Sequence, residues 1–122
     1  MKTALIIGLG SFIGGASRYL VWKVIHTNFT SVFPFGTFTV NVVGCFLIGL
    51  ALGYGSKNYL DSTWQLFLTT GILGGFTTFS AFSLESINML RDGHLWSALL
   101  YIMLSIVVGL TATLVGYTAA RA

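Results

Sequence analysis

Four apolar stretches, each about as long as a bilayer is thick, use up nearly all of this 122-residue chain. A spanning helix needs about 20 mostly apolar residues, and the runs near Ala4–Val24, Gly36–Tyr54, Thr63–Leu90 and Leu95–Ala119 each supply them. With 55% hydrophobic and only 7% charged residues, the chain cannot cover a water-soluble globule, whose charged share is about 25%. The expectation is one all-α membrane domain over residues 1–122, multi-pass in the inner (plasma) membrane. The net charge of +3 is scattered and forms no basic run, which argues against nucleic-acid binding. Lys2 ahead of an apolar run also fits a cleaved signal peptide, but cleavage near Gly14–Ser17 would remove a whole crossing.

The third run is too long for one plain crossing. Some 28 residues at about 1.5 Å each reach about 42 Å, against a hydrocarbon core of about 30 Å. Gly71, Gly74 and Gly75 lie within five positions, so the sequence predicts a helix broken near Gly74-Gly75, across 74–78. Backbone groups freed by such a break are tolerated in a bilayer only where they line a cavity or bind something. Carbonyls gathered there suit a cation such as Na⁺, and helix N-termini suit an anion.

The polar residues in these runs are few and spaced for helices. Thr37 and Asn41 stand four apart on one face of the second run, as do Tyr101 and Ser105 on the fourth. Asn41 is an amide that must find partners in hydrocarbon, structural or functional. Phe79 and Phe82 share a face, with Ser80 and Ser83 on the adjoining one; spacing alone reads as packing, yet ring edges are positively polarised and can face an anion. Arg18 either snorkels to the interface or faces a watery vestibule. Glu85 reads either as a carboxylate bonded to nearby hydroxyls or as a proton-coupling group. Gly14–Ser17 and the Gly49/Gly53 pair are small-residue faces for close helix approach.

Metal, redox and enzymatic chemistry find little support. Cys45 is single and lies in an apolar run, so it reads as packing. His26 and His94 lie in separate loops with no ligands at metal spacing. Neither a nucleophile–base pair nor a phosphate loop is visible, so no enzyme is expected.

Loop charges give almost no orientation bias. Lys2, Lys57 and Arg121 fall on one side, Lys23 and Arg91 on the other, joined by Arg18 if it snorkels. Such a chain can insert either way up, and two opposed copies make an antiparallel homodimer.

Three segments together resemble the Fluc (CrcB) fluoride channels: Gly14-Gly15-Ala16-Ser17-Arg18-Tyr19, then Gly36-Thr37-Phe38-Thr39-Val40-Asn41-Val42-Val43-Gly44, then Gly74 to Ser83. The resemblance covers essentially the whole chain and implies a four-helix, dual-topology homodimer giving passive, selective efflux of fluoride. By the same resemblance Phe79 and Phe82 are pore phenylalanines, Asn41 a pore amide, Arg18 the vestibule cation, and Ser80, Ser83, Thr37, Tyr101 and Ser105 a polar track. It further implies that backbone carbonyls of Gly74 and Thr77 hold a structural Na⁺ at the dimer interface. Ala81 departs from the family pattern, where a threonine is usual, and removes one hydroxyl contact. Two other readings stay open on the residues alone: a small dual-topology proton-coupled exporter centred on Glu85, and a non-transporting assembly subunit.

Overall fold

The computed structural model describes residues 1–29, 31–56 and 61–121, and is helical throughout its regular structure, with no strand among the described residues. α1 is Lys2–Asn28 and α2 is Phe35–Ser56; α3 (Ser62–Leu66), a π-helical segment (Phe67–Leu73), α4 (Gly74–Phe76) and α5 (Phe79–Arg91) follow one another; α6 is Leu95–Arg121. Four spans are long and apolar enough to cross a bilayer: α1, residues 35–55 of α2, the composite 62–91, and α6. The chain is a multi-pass membrane protein. Lys57, one of the charges in the orientation argument, lies outside the described residues.

Local chemistry sets the helix ends. α1 runs to Asn28, beyond the expected Val24; in its last turn the Thr27 hydroxyl donates to the Lys23 carbonyl (2.7 Å) and the Asn28 amide to that of Val24 (2.8 Å). The Phe29 N–H closes the end on the Ile25 carbonyl (2.8 Å). Pro34 sits just before α2, and its carbonyl accepts from the Phe38 N–H (3.0 Å), so the missing proline N–H costs nothing there. Between α5 and α6, Gly93 takes a positive φ of 84°, and the His94 N–H folds back to the Met89 carbonyl (2.8 Å). Glycine is the residue that reaches this left-handed closure without strain.

The third span is interrupted where its length demands, but one turn later than the glycines. Gly74 is helical (φ −63°, ψ −37°), whereas Thr77 (ψ 154°) and Thr78 (φ −149°, ψ 122°) are extended. The break therefore falls at Thr77–Thr78, inside the 74–78 window. Gly75 serves close packing instead: a Cβ there would stand 2.6 Å from the Ser11 carbonyl oxygen of α1.

Glycine-to-backbone contact is how the spans pack. A Cβ on Gly14 would land on the Ile72 carbonyl oxygen, and one on Gly49 of α2 would land on that of Thr113 in α6. In hydrocarbon, where apolar side chains gain little by leaving lipid, such approach supplies the van der Waals attraction that holds helices together. The small core has Tyr101 and Val40 as its largest fully buried side chains, with Met89 and Ala98. Large apolar residues such as Phe12, Leu110 and Phe79 are exposed around the outside, on surfaces fit for lipid or another chain.

Substituting Gly14 tests the packing directly. Gly14→Ala is expected to lose about 1–3 kcal/mol through forced helix separation, seen as a lower Tm in detergent. Gly15→Ala, whose Cβ would meet nothing within 4 Å, should melt like the wild type.

Candidate functional site

At the break, two adjacent threonines and one asparagine do the work of a missing helical turn. The Thr78 N–H donates to Asn41 Oδ1 (2.8 Å), and Asn41 Nδ2 donates to the Thr78 carbonyl (3.0 Å). The reciprocal pair fixes the amide's orientation, since a flipped amide would oppose donor to donor and acceptor to acceptor. One N–H and one lone pair of Asn41 are left over. The Thr78 hydroxyl caps α5 by accepting from the Ala81 N–H (3.1 Å), and exchanges a further bond with Ser80 Oγ (3.1 Å). Thr77 closes the preceding turn, with both its N–H (3.0 Å) and hydroxyl (2.9 Å) donating to the Leu73 carbonyl.

These bonds redirect two backbone donors. In an unbroken helix the Thr78 N–H would serve the Gly74 carbonyl and the Ala81 N–H that of Thr77. Both go elsewhere. The carbonyls of Gly74 and Thr77 therefore lose their helical donors at one place in the membrane-spanning segment.

A second polar cluster lies farther along α5. Thr37, 3% exposed, donates its hydroxyl to Glu85 Oε1 (2.6 Å). The Tyr101 side chain, wholly buried, is next to the same carboxylate. Glu85 Oε2 and Tyr101 Oη nevertheless have no partner of good hydrogen-bond geometry among the described residues. Thr37 and Asn41, predicted to share a face, both turn toward the third span.

Aromatic rings run beside these clusters. Phe79 and Phe82 have centroids 5.5 Å apart at 46°, and Phe82 continues to Tyr101 at 5.2 Å and 44°. Tyr101 then meets Phe33 edge-on, at 5.5 Å and 87°. Phe82 is half-buried, while Phe79 is 79% exposed at the start of the row.

Three cavities follow one another along this face. The first, about 350 Å³, is lined by Asn41, Thr77, Thr78, Phe79, Phe82 and Ser105 among others. A second of about 240 Å³ shares Thr78 with it, and adds Arg18, Trp22, Thr37 and Glu85. The third, about 490 Å³, opens among the loops with His26, Asp92 and His94, and shares Trp22 and Glu85 with the second. Arg18 forms no ion pair among the described residues, so a free cation lines the middle cavity.

Of the residues singled out from sequence, Phe79, Phe82, Asn41, Ser105 and Thr77 meet around the first cavity, and Arg18 and Thr37 around the second. Tyr101 stands behind them in the core. Ser80 and Ser83 are exposed, Ser80 reaching only Thr78, and neither lines these cavities; Gly74 is exposed too. Thr78 and Trp22 were not singled out. A threonine directly before an apolar helical run signals an N-cap, and Trp22 stands one turn from Arg18 on the same face, so both carried a legible cue.

The family described as CrcB-like protein, Camphor Resistance (CrcB) matches residues 5–117. Relatives named "Fluoride-specific ion channel FluC" align along nearly the whole chain. The one from Flavobacterium psychrophilum is 45% identical over 122 residues, covering 99% of this chain and 98% of its own. Its counterpart from Azobacteroides pseudotrichonymphae is 41% identical over 118 residues, covering 96% and 94%. That from Clostridium perfringens is 42% identical over 119 residues, covering 97% and 93%.

Removing the amide at the break should expose its structural share. Asn41→Leu strands the Thr78 N–H and carbonyl, at about 1–3 kcal/mol each, and should lower the Tm well below that of Thr78→Val, which loses a cap worth about 1 kcal/mol.

Proposed function

The chain belongs to the CrcB family, and from that membership we propose that it is a fluoride-selective channel of the plasma membrane, giving passive efflux that protects the cell from the anion. The observation that carries the reading is the first cavity, where two phenylalanine rings, an amide with a spare N–H and the Ser105 hydroxyl converge. Fluoride is small and holds its water tightly, so a pathway must replace that water with donors while binding loosely enough to release. Asn41 and Ser105 offer hydrogen-bond donors, Phe79 and Phe82 offer polarised ring edges, and Arg18 supplies attraction from the neighbouring cavity, where the Thr37 hydroxyl is engaged by Glu85. The donor set suits a small anion that accepts hydrogen bonds.

We take the working unit to be an antiparallel homodimer. Phe79 begins the aromatic row yet is 79% exposed, a position that a second copy would cover. The same arrangement gives the two carbonyls at the break a use. Gly74 and Thr77 present backbone oxygens relieved of their helical donors, the hard oxygen type that Na⁺ takes, and a two-fold axis would double the number. A bound Na⁺ would supply a fixed positive charge that offsets an anion's cost in low dielectric. Ser80 and Ser83, exposed in one chain, belong to the proposed polar track only if the second copy closes over them.

Efflux from proteoliposomes tests the proposal: fluoride should leave far faster than chloride, and equal rates or no flux would refute selectivity. Phe79→Ile and Phe82→Ile should each cut fluoride flux about fivefold, at ~1 kcal/mol per ring contact, with the dimer intact by cross-linking. Replacing Na⁺ by a large organic cation should lower both flux and dimer stability. A Glu85-centred, proton-coupled exporter instead predicts pH-driven transport that Glu85→Gln abolishes.

A further inference from the structure

Trp22 occupies a position that the pathway so far described does not use. It lines both the middle cavity, with Arg18 and Thr37, and the outer cavity among the loops, so it stands where the two adjoin. Its indole is clamped. The His26 ring stacks on it at 4.6 Å and 10°, and Tyr19 lies at 6.3 Å and 27°. On the side of α2 the neighbour is Gly36: a Cβ there would stand 2.7 Å from Trp22 Cδ1 and 3.2 Å from Nε1. Any larger residue at 36 would crowd the pyrrole edge.

An indole offers one strong hydrogen-bond donor and no acceptor, and a tryptophan placed among protein groups ordinarily finds a partner for it. Among the described residues the Trp22 N–H has none. A ring held this firmly loses little freedom when it binds, so its free N–H is a pre-organised donor.

We propose that the Trp22 indole N–H is an anion-binding donor at the junction of the outer and middle cavities, receiving a small, hard, hydrogen-bond-accepting anion before it reaches Arg18. The site deepens the fluoride-channel reading and rests on it for the identity of the ion. Gly36 keeps the donor's edge open, and His26 holds the ring in place. An anion there would exchange one water for the indole N–H while the Arg18 charge lies ahead of it, a step between hydrated vestibule and narrower pathway.

The test is a titration of the whole protein, labelled with ¹⁵N-indole tryptophan and held in lipid nanodiscs, with sodium fluoride and, at matched ionic strength, sodium chloride. The chain has three tryptophans, and the Trp22 signal is the one missing from Trp22→Phe. Its N–H resonance should move and saturate with fluoride, while Trp64 and Trp96 stay still. No movement, or the same movement with chloride, overturns the proposal. In proteoliposomes Trp22→Phe, which keeps a ring against His26, should lower fluoride flux about fivefold, the worth of one net hydrogen bond, and Gly36→Ala should lower it too. Wild-type flux without a Trp22 shift sinks this site and leaves the channel standing; a saturable shift without wild-type flux sinks the channel and leaves the site.

Discussion

The arrangement depends on one amide serving one residue's backbone. In hydrocarbon an unpaired N–H or carbonyl costs several kcal/mol, which is why spanning segments are normally unbroken helices. Asn41 removes that cost at Thr78 by meeting both backbone groups at once. Because the amide lies on α2, the start of α5 is tied to a fixed height on a neighbouring helix. The positions of Phe79, Phe82 and Glu85 relative to α2 follow from that tie, as does the release of the Gly74 carbonyl, while the Thr78 hydroxyl's cap on the Ala81 N–H releases that of Thr77.

α2 is divided to suit this role. Thr37, Asn41 and Gly44 recur at helical spacing and meet the third span: Thr37 at Glu85, Asn41 at Thr78, and Gly44 at the Thr77 side chain. Gly49 and Gly53, on a different face, meet the backbone of α6. Close approach to α6 secures the helix without polar groups, leaving its polar side chains for the break and the carboxylate. The Gly49/Gly53 pair is thus a packing seam within one chain.

The spans were legible because hydropathy at this length has few rivals, and the break was legible because the third run overshoots the bilayer. Its exact place was not. Glycines signal equally a weak helix and a close helix contact, and at Gly75 contact with Ser11 won while Thr77 and Thr78 took the break. Helical spacing correctly joined Phe79 to Phe82 and Thr37 to Asn41. Ser80 and Ser83, placed by the same spacing on the adjoining face, are exposed in the single chain. Nor does sequence reveal that half of Asn41's hydrogen-bonding capacity goes to structure, since an amide looks the same whether it faces an ion or a broken helix.

In the proposed channel the middle cavity would let attraction and release coexist. Arg18 and Glu85 line it together but form no ion pair, so each keeps its own field there. An anion entering it would be drawn by the guanidinium and, when Glu85 is ionised, opposed by the carboxylate. The Thr37 hydroxyl moderates the opposition by hydrogen-bonding Oε1 of that carboxylate. A cavity with the cation alone would hold a small anion tightly in low dielectric, and tight holding is slow conduction. In the proposed channel, opposed charges at a shared wall when Glu85 is ionised, with hydroxyls and ring edges beyond, would give a path that is entered and left readily.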